Sequence, residues 1–279
     1  AGLTCALFLS RAERAGSGTL LFSCSYALMG FVFVYQQNIL WLDGIIFLPL
    51  VLWGVQRLMS RRRPLLFILS LAACLITNYY IAYMICIFSA LYFLFQLAVI
   101  HPQSPRLHGR AVLISCGRLL GAYLAAAGLA AFVLVPTAFS LMGGDKNLGL
   151  LSRLGLGVRF EAGDLFSKLF TGSFESRDMW TSPLPVMFCG LLITLLLFLY
   201  FFNRRIRFRE KVAAGIWLAV MFCGFQVEAL YLVWHAFNFP IGFPSRQAFL
   251  FSFTMIYLAC RGFVRLRGGV KRRHLAIAL

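Results

Sequence analysis

Apolar runs near 19–38, 65–99, 119–141, 184–202, 212–234 and 246–260 each contain enough apolar residue to cross a bilayer, or nearly so. No other feature of the sequence limits the fold as much. Runs of this length read as transmembrane helices, so the expected fold is all-α, a polytopic transmembrane helical bundle of about eight spans. Composition agrees: 61% of the residues are hydrophobic and 13% charged, against roughly half and a quarter in soluble domains. We read residues 1–279 as a single transmembrane domain.

The net charge of +17 would suggest nucleic acid in a soluble protein. Here the position of the charge decides otherwise. Basic residues cluster between the apolar runs, at Arg61–Arg63, Arg204–Arg207 and Arg265–Arg273, as expected of cytoplasmic loops. No base-stacking or groove-reading motif accompanies them, so no nucleic-acid partner is expected.

Threading the chain with Arg11 and Arg14 inside gives spans at about 19–37 and 44–58. The run 65–99 is too long for one helix at about 1.5 Å per residue, and it divides at the polar, aromatic Thr77-Asn78-Tyr79-Tyr80. Further spans follow at 119–141, 184–202, 212–234 and 246–261, with segment 142–182 outside. On this path only Lys146, Arg153, Arg159, Lys168, Arg177 and Arg246 among the 26 basic residues fall outside. Glu13 and Glu210 are the only acids inside. Such a bias fixes the expected orientation: basic loops cytoplasmic and segment 142–182 extracellular, to which the family resemblance described below adds a bacterial plasma membrane.

The eight cysteines show no CxxC and no Cys/His cluster, so they read as small packing residues. No metal site is expected, and the spacing of Asp145, Asp164 and Asp178 does not suit a calcium loop. No cofactor can be read from the sequence. No cleavable signal peptide is expected either, since Arg11 and Arg14 follow the first apolar stretch where they should precede it. Phe160, Leu165, Phe166, Leu169 and Phe170 suit short amphipathic helices lying on the membrane.

Candidate chemistry collects on the expected outer face. Asp43 is a carboxylate able to bind a sugar hydroxyl or accept a proton; its plainer reading is an N-cap for a helix opening at Gly44. Asn38, Asn78, Tyr79 and Tyr80 could contact carbohydrate, or form an interfacial aromatic belt around tight turns. Arg246 suits a lipid phosphate, since its guanidinium forks onto two oxygens, and equally suits ordinary headgroup anchoring. His235 is a candidate base at a helix end. Glu228, inside a span, could pair with Arg246 or line a cavity.

Three stretches carry a family resemblance. Ser25-Tyr26-Ala27-Leu28-Met29-Gly30 leads into Asn38-Ile39, Trp41-Leu42-Asp43 and Leu48-Pro49-Leu50. Thr77-Asn78-Tyr79-Tyr80-Ile81 precedes Met84-Ile85-Cys86-Ile87-Phe88-Ser89, and Phe243-Pro244-Ser245-Arg246 precedes Phe249. Together they resemble the bacterial YfhO membrane-protein family, from about residue 20 to 260. The resemblance implies a GT-C type glycosyltransferase that takes a sugar from a polyprenyl-phosphate donor on the outer face. Its implied acceptor is a cell-surface polymer such as lipoteichoic acid, and its implied surroundings are membrane lipid. It further implies a longer protein, of which this chain is a fragment, with the principal catalytic acid ahead of residue 1. Asp43 is carried over as the catalytic candidate within the chain. The alternatives are a transporter or flippase of a lipid-linked substrate, or a catalytically incomplete scaffold.

Overall fold

The computed structural model describes residues 1–61, 63–100, 109–142, 157–170, 172, 174, 182–240 and 242–267. The described residues form a helical bundle without named strands. In chain order the helices are α1 Gly2–Ala12, α2 Gly18–Ala27, α3 Gly30–Tyr35, α4 Ile39–Arg61, α5 Leu65–Thr77, α6 Tyr79–Ile100, α7 Gly109–Leu129 and α8 Ala131–Met142. They continue with α9 Asp164–Ser167, α10 Leu191–Phe202, α11 Phe208–Gln226, α12 Glu228–Trp234 and α13 Ala248–Arg267.

Among the described residues, five stretches are long and apolar enough to cross a membrane: 18–35, 39–60, 79–99, 111–129 and 248–266. The other expected spans differ for identifiable reasons. Helix α5 has 13 residues, about 20 Å at 1.5 Å per residue, well short of a hydrocarbon core of about 30 Å. The expected span 184–202 becomes helical only at Leu191. Pro183 and Pro185 hold the preceding stretch extended, since proline lacks an N–H and disfavours helix before it. The expected span 212–234 is divided at Val227, which is extended and bridges Val158. The fifth expected span starts earlier than 119, because α7 already runs from Gly109.

Extended backbone inside an apolar bundle needs partners, and these are supplied. Ser245 Oγ donates to the Pro183 carbonyl at 2.9 Å and Ser252 Oγ to that of Met187 at 3.0 Å. The amide of Gly30, at the break between α2 and α3, donates to the Phe188 carbonyl at 2.7 Å. At the other break, Glu228 N donates to Gly157 O and Arg159 N to Gln226 O.

Helix α13 runs through the middle and is buried on every side from Ala248 to Cys260, as its unbroken apolar sequence requires. Helices α4 and α5 pack backbone to backbone at Gly54, where an added Cβ would lie 2.5 Å from the Phe67 Cα. That contact tolerates no side chain. The expected turns at 36–43, 77–80 and 235–246, the last in its described residues 235–240 and 242–246, meet at one end of the bundle. Residues 11–13, 56–57, 96, 203–210 and 261–265 gather at the opposite end. Of segment 142–182, residues 157–170 contain the four-residue α9; Asp145 and Asp178 lie outside the described residues.

Candidate functional site

The end of the bundle where the three turns meet is lined by aromatic rings around an arginine. Asn78 builds its frame. Its Oδ1 accepts from Ile81 N at 3.0 Å, capping α6, and its Nδ2 donates to the Leu40 carbonyl at the start of α4 at 3.1 Å. An asparagine between two helices suits both bonds. The result sets Tyr80 beside Trp41. Arg246 lies over both rings, its guanidinium carbon 5.1 Å from the Trp41 centroid and 5.2 Å from that of Tyr80.

Arg246 is half-buried. Its Nε donates to the Phe243 carbonyl at 3.1 Å and its Nη2 to that of Gly242 at 3.3 Å. No carboxylate among the described residues pairs with it. The loop that holds it is strained: Phe243 and Ser245 have φ of 50° and 57°, a left-handed conformation that non-glycine residues adopt at a cost. Phe243 stacks edge-on against Trp41 and Tyr35, and Ser245 N donates to the Tyr231 hydroxyl at 3.2 Å.

His235 is fully buried, with its ring 4.0 Å from Tyr231 and 6.4 Å from Tyr80. Its Nδ1 meets the Tyr231 carbonyl at 2.8 Å. A carbonyl only accepts, so Nδ1 carries the proton and Nε2 is left as an acceptor. Burial pushes the imidazole pKa down to about 3; the Tyr231 carbonyl opposes this, while Arg246 and Arg159 add to it. His235 is therefore neutral and a weak base. Arg159 lies over the Tyr231 ring, its guanidinium carbon 3.4 Å from the centroid. Burial lowers the pKa of this arginine, while Tyr231 and Glu228 act the opposite way.

Two further expectations change. Helix α4 begins at Ile39, with Trp41 N on the Asn38 carbonyl at 2.9 Å, so Asp43 lies in its second turn. It cannot cap a helix opening at Gly44. Two residues from Trp41 is about 200° around a helix, which turns Asp43 away from Arg246 and toward Cys74 of α5. Glu228 lies at the break between α11 and α12, close to Gly157 and Arg159, with no ion pair to Arg246. Tyr79 is exposed; Asn38 is half-buried in the turn between α3 and α4.

Five buried side-chain atoms among the described residues have no hydrogen-bond partner in the protein, and three of them belong to this end: Asn38 Nδ2, His235 Nε2 and Gln247 Oε1. Buried polar groups are seldom left so. They comprise one donor and two acceptors, with His235 against the Tyr231 and Tyr80 rings and Gln247 held by the Gly224 carbonyl.

A family model described as bacterial membrane protein YfhO matches residues 1–279, the whole length of the sequence. The chain belongs to this family. No curated protein and no solved structure matches it. Membership in YfhO agrees with the bundle and with a bacterial membrane as its setting.

A second charged cluster was not anticipated. At the opposite end of this YfhO bundle, Arg261 Nη1 contacts Glu13 at 2.7 Å and its Nη2 contacts Glu210 at 2.9 Å. Arg265 reaches the other Glu210 oxygen at 3.0 Å. Tyr257 donates to Glu13 at 2.8 Å and receives Gln96 at 2.8 Å. The sequence did carry a signal for it, since Glu13 and Glu210 are the two acids that fall among the basic loops.

Proposed function

We propose that this protein works as a membrane glycosyltransferase, moving a sugar from a polyprenyl-phosphate donor to a cell-surface polymer such as lipoteichoic acid. The carrying observation is Arg246, held by two carbonyls and two aromatic faces with no acid among the described residues to neutralise it. As the bond from the anomeric carbon to the phosphate oxygen breaks, negative charge grows on the departing lipid phosphate. A fixed guanidinium stabilises that charge. The acceptor hydroxyl oxygen forms the new glycosidic bond and gives up its proton to a carboxylate. Among the described carboxylates the candidates are Glu228, at the break between α11 and α12, and Asp43, in the second turn of α4 and directed toward α5.

The unpartnered Asn38, His235 and Gln247 atoms suit sugar hydroxyls, which both donate and accept. An apolar cavity of about 480 Å³, lined in part by Leu28, Val32, Phe33, Phe174 and Phe188, suits an isoprenoid tail. It lies across α3 from Phe31 and Tyr35, which face Trp41. We place this end outside the cell, because the basic clusters of the sequence fall at the other.

The test is sugar transfer by the full protein in proteoliposomes. Arg246→Ala should lower kcat/KM for the donor by about 10- to 100-fold, the range for a lost hydrogen bond to a charged group. Arg246→Lys should recover part of that. Unchanged transfer by Arg246→Ala removes the reading.

The breaks at Leu28–Met29, Ala130 and Val227 favour a second reading, since transporters bind substrate at discontinuous helices. Movement of a lipid-linked sugar across vesicles without an acceptor would select it.

A further inference from the structure

We infer a binding site for the phosphate headgroup of an anionic membrane lipid at the end of the bundle opposite Arg246, between α1, α4 and the start of α5. Two adjoining cavities share Arg57. The first, about 310 Å³, is lined by Arg11, Trp53, Gln56, Arg57 and Ser60. The second, about 510 Å³, is lined by Arg57 and Arg63 with Pro64, Leu65, Leu66 and Leu69. One is polar and cationic; the other continues onto exposed leucines, with Leu65 64% and Leu69 52% accessible. A headgroup needs the first and an acyl chain the second.

The polar cavity is a held arrangement. Arg57 lies over the Trp53 ring at 5.7 Å. Ser60 Oγ donates to the Gln56 carbonyl at 2.7 Å, and Gln56 Nε2 donates to the Tyr92 hydroxyl at 2.6 Å. Arg63 N donates to the Arg57 carbonyl at 3.3 Å, turning the chain back over the end of α4 in the manner of a helix C-cap. That fold brings Arg63 to the same side as Arg57.

Charge accounting selects an anion. Among the described residues no carboxylate pairs with Arg11, Arg57 or Arg63. Glu13, the nearest acid in sequence to Arg11, is committed to Arg261 and Tyr257. The C-terminal ends of α1 and α4 carry partial negative charge and repel an anion, so the attraction comes from the guanidinium groups. Arginines on both sides of a cavity match the forked geometry of phosphate oxygens, and basic pockets between transmembrane helices are known to hold anionic headgroups. The leucine wall distinguishes a lipid from free phosphate.

Native mass spectrometry of the full protein in detergent tests the site with phosphatidylglycerol, phosphatidylcholine and inorganic phosphate as probes. One phosphatidylglycerol should be retained in preference to phosphatidylcholine. Arg11→Gln and Arg57→Gln should each weaken it about fivefold, as expected for one arginine at an anionic lipid. Arg204→Gln, exposed and outside both cavities, should leave it unchanged. Arg11 is exposed, so its variant keeps the bundle intact should Arg57→Gln fail to fold. Equal retention of phosphatidylcholine, or equal weakening by Arg204→Gln, would reduce the site to diffuse attraction and overturn the inference. Displacement of the lipid by inorganic phosphate would overturn it in favour of a free anion.

Discussion

Arg246 and Arg261 stand near opposite ends of the same central helix, and their surroundings could hardly differ more. Arg261 is buried with two glutamates, a tyrosine and a neighbouring arginine arranged so that every charge has a counter-charge. Arg246 is half-buried among Trp41, Tyr80, Phe243 and two carbonyls, none of which carries a full negative charge. In the first arrangement the cations and carboxylates neutralise one another. The second retains a net positive charge beside unpartnered polar atoms. An arginine's partners, more than its burial, tell whether it holds a bundle together or waits for an anion.

The largest effect should come from Arg261→Ala, which strands Glu13 and Glu210 without their cation. Breaking a buried pair in this way costs about 3–5 kcal/mol, readable as a large drop in thermal stability in detergent. A loss no greater than that of Arg246→Ala would erase the contrast. Replacing the buried set, with Glu13→Gln, Glu210→Gln and Arg261→Met, should recover most of the loss, because the only cation then left without its partner is Arg265, whose side chain is 30% accessible and reaches solvent.

His235 sharpens the other side. Its folded pKa of about 3 lies below the ordinary 6.5, so the unfolded chain takes up the proton first. Stability should be level above about pH 7 and decline as pH falls below 6.5, by about 1.4 kcal/mol per pH unit. About 2 kcal/mol is lost by pH 5, and His235→Gln should flatten this limb of the stability curve. An unchanged slope would mean that the aromatic end does not keep His235 dry.

Asn78→Ala removes a helix cap and the link to Leu40, and should cost about 1 kcal/mol in thermal unfolding. The smallest effect on stability belongs to Arg246→Ala, at about 0.5–1 kcal/mol from lost ring contacts, although its effect on donor binding should be the largest at this end. If that variant unfolds the protein instead, Arg246 is structural and resembles Arg261 after all.

Much of the bundle was legible in the sequence. Unbroken apolarity marked α6 and α13, and the polar Thr77–Tyr80 step marked the turn between α5 and α6, because hydrocarbon excludes such groups from a helix interior. The grouping of Asn38, Asn78, Tyr80, His235 and Arg246 at one end followed from the alternation of spans. The positions of side chains around each helix did not follow. Asp43 was read either as a functional carboxylate or as a cap, and the second reading fails because the Asn38 turn starts α4 a turn earlier and points the carboxylate at α5. Glu228 was expected within a span, yet Val227 breaks the helix to bridge Val158, a pairing between residues far apart in the chain.

By itself the sequence determined that this is a membrane bundle, which stretches enter the apolar core and which turns share an end. Those outcomes depend on local transfer free energy and on segment length, both written residue by residue. Only the tertiary structure decided that Glu13 and Glu210 would meet on Arg261, that Arg246 would stack between Trp41 and Tyr80, and that 182–190 would run extended between serine hydroxyls. Each of these is a bond or contact between groups distant in the chain. Their free energy exists only once packing brings the partners within hydrogen-bonding or stacking distance.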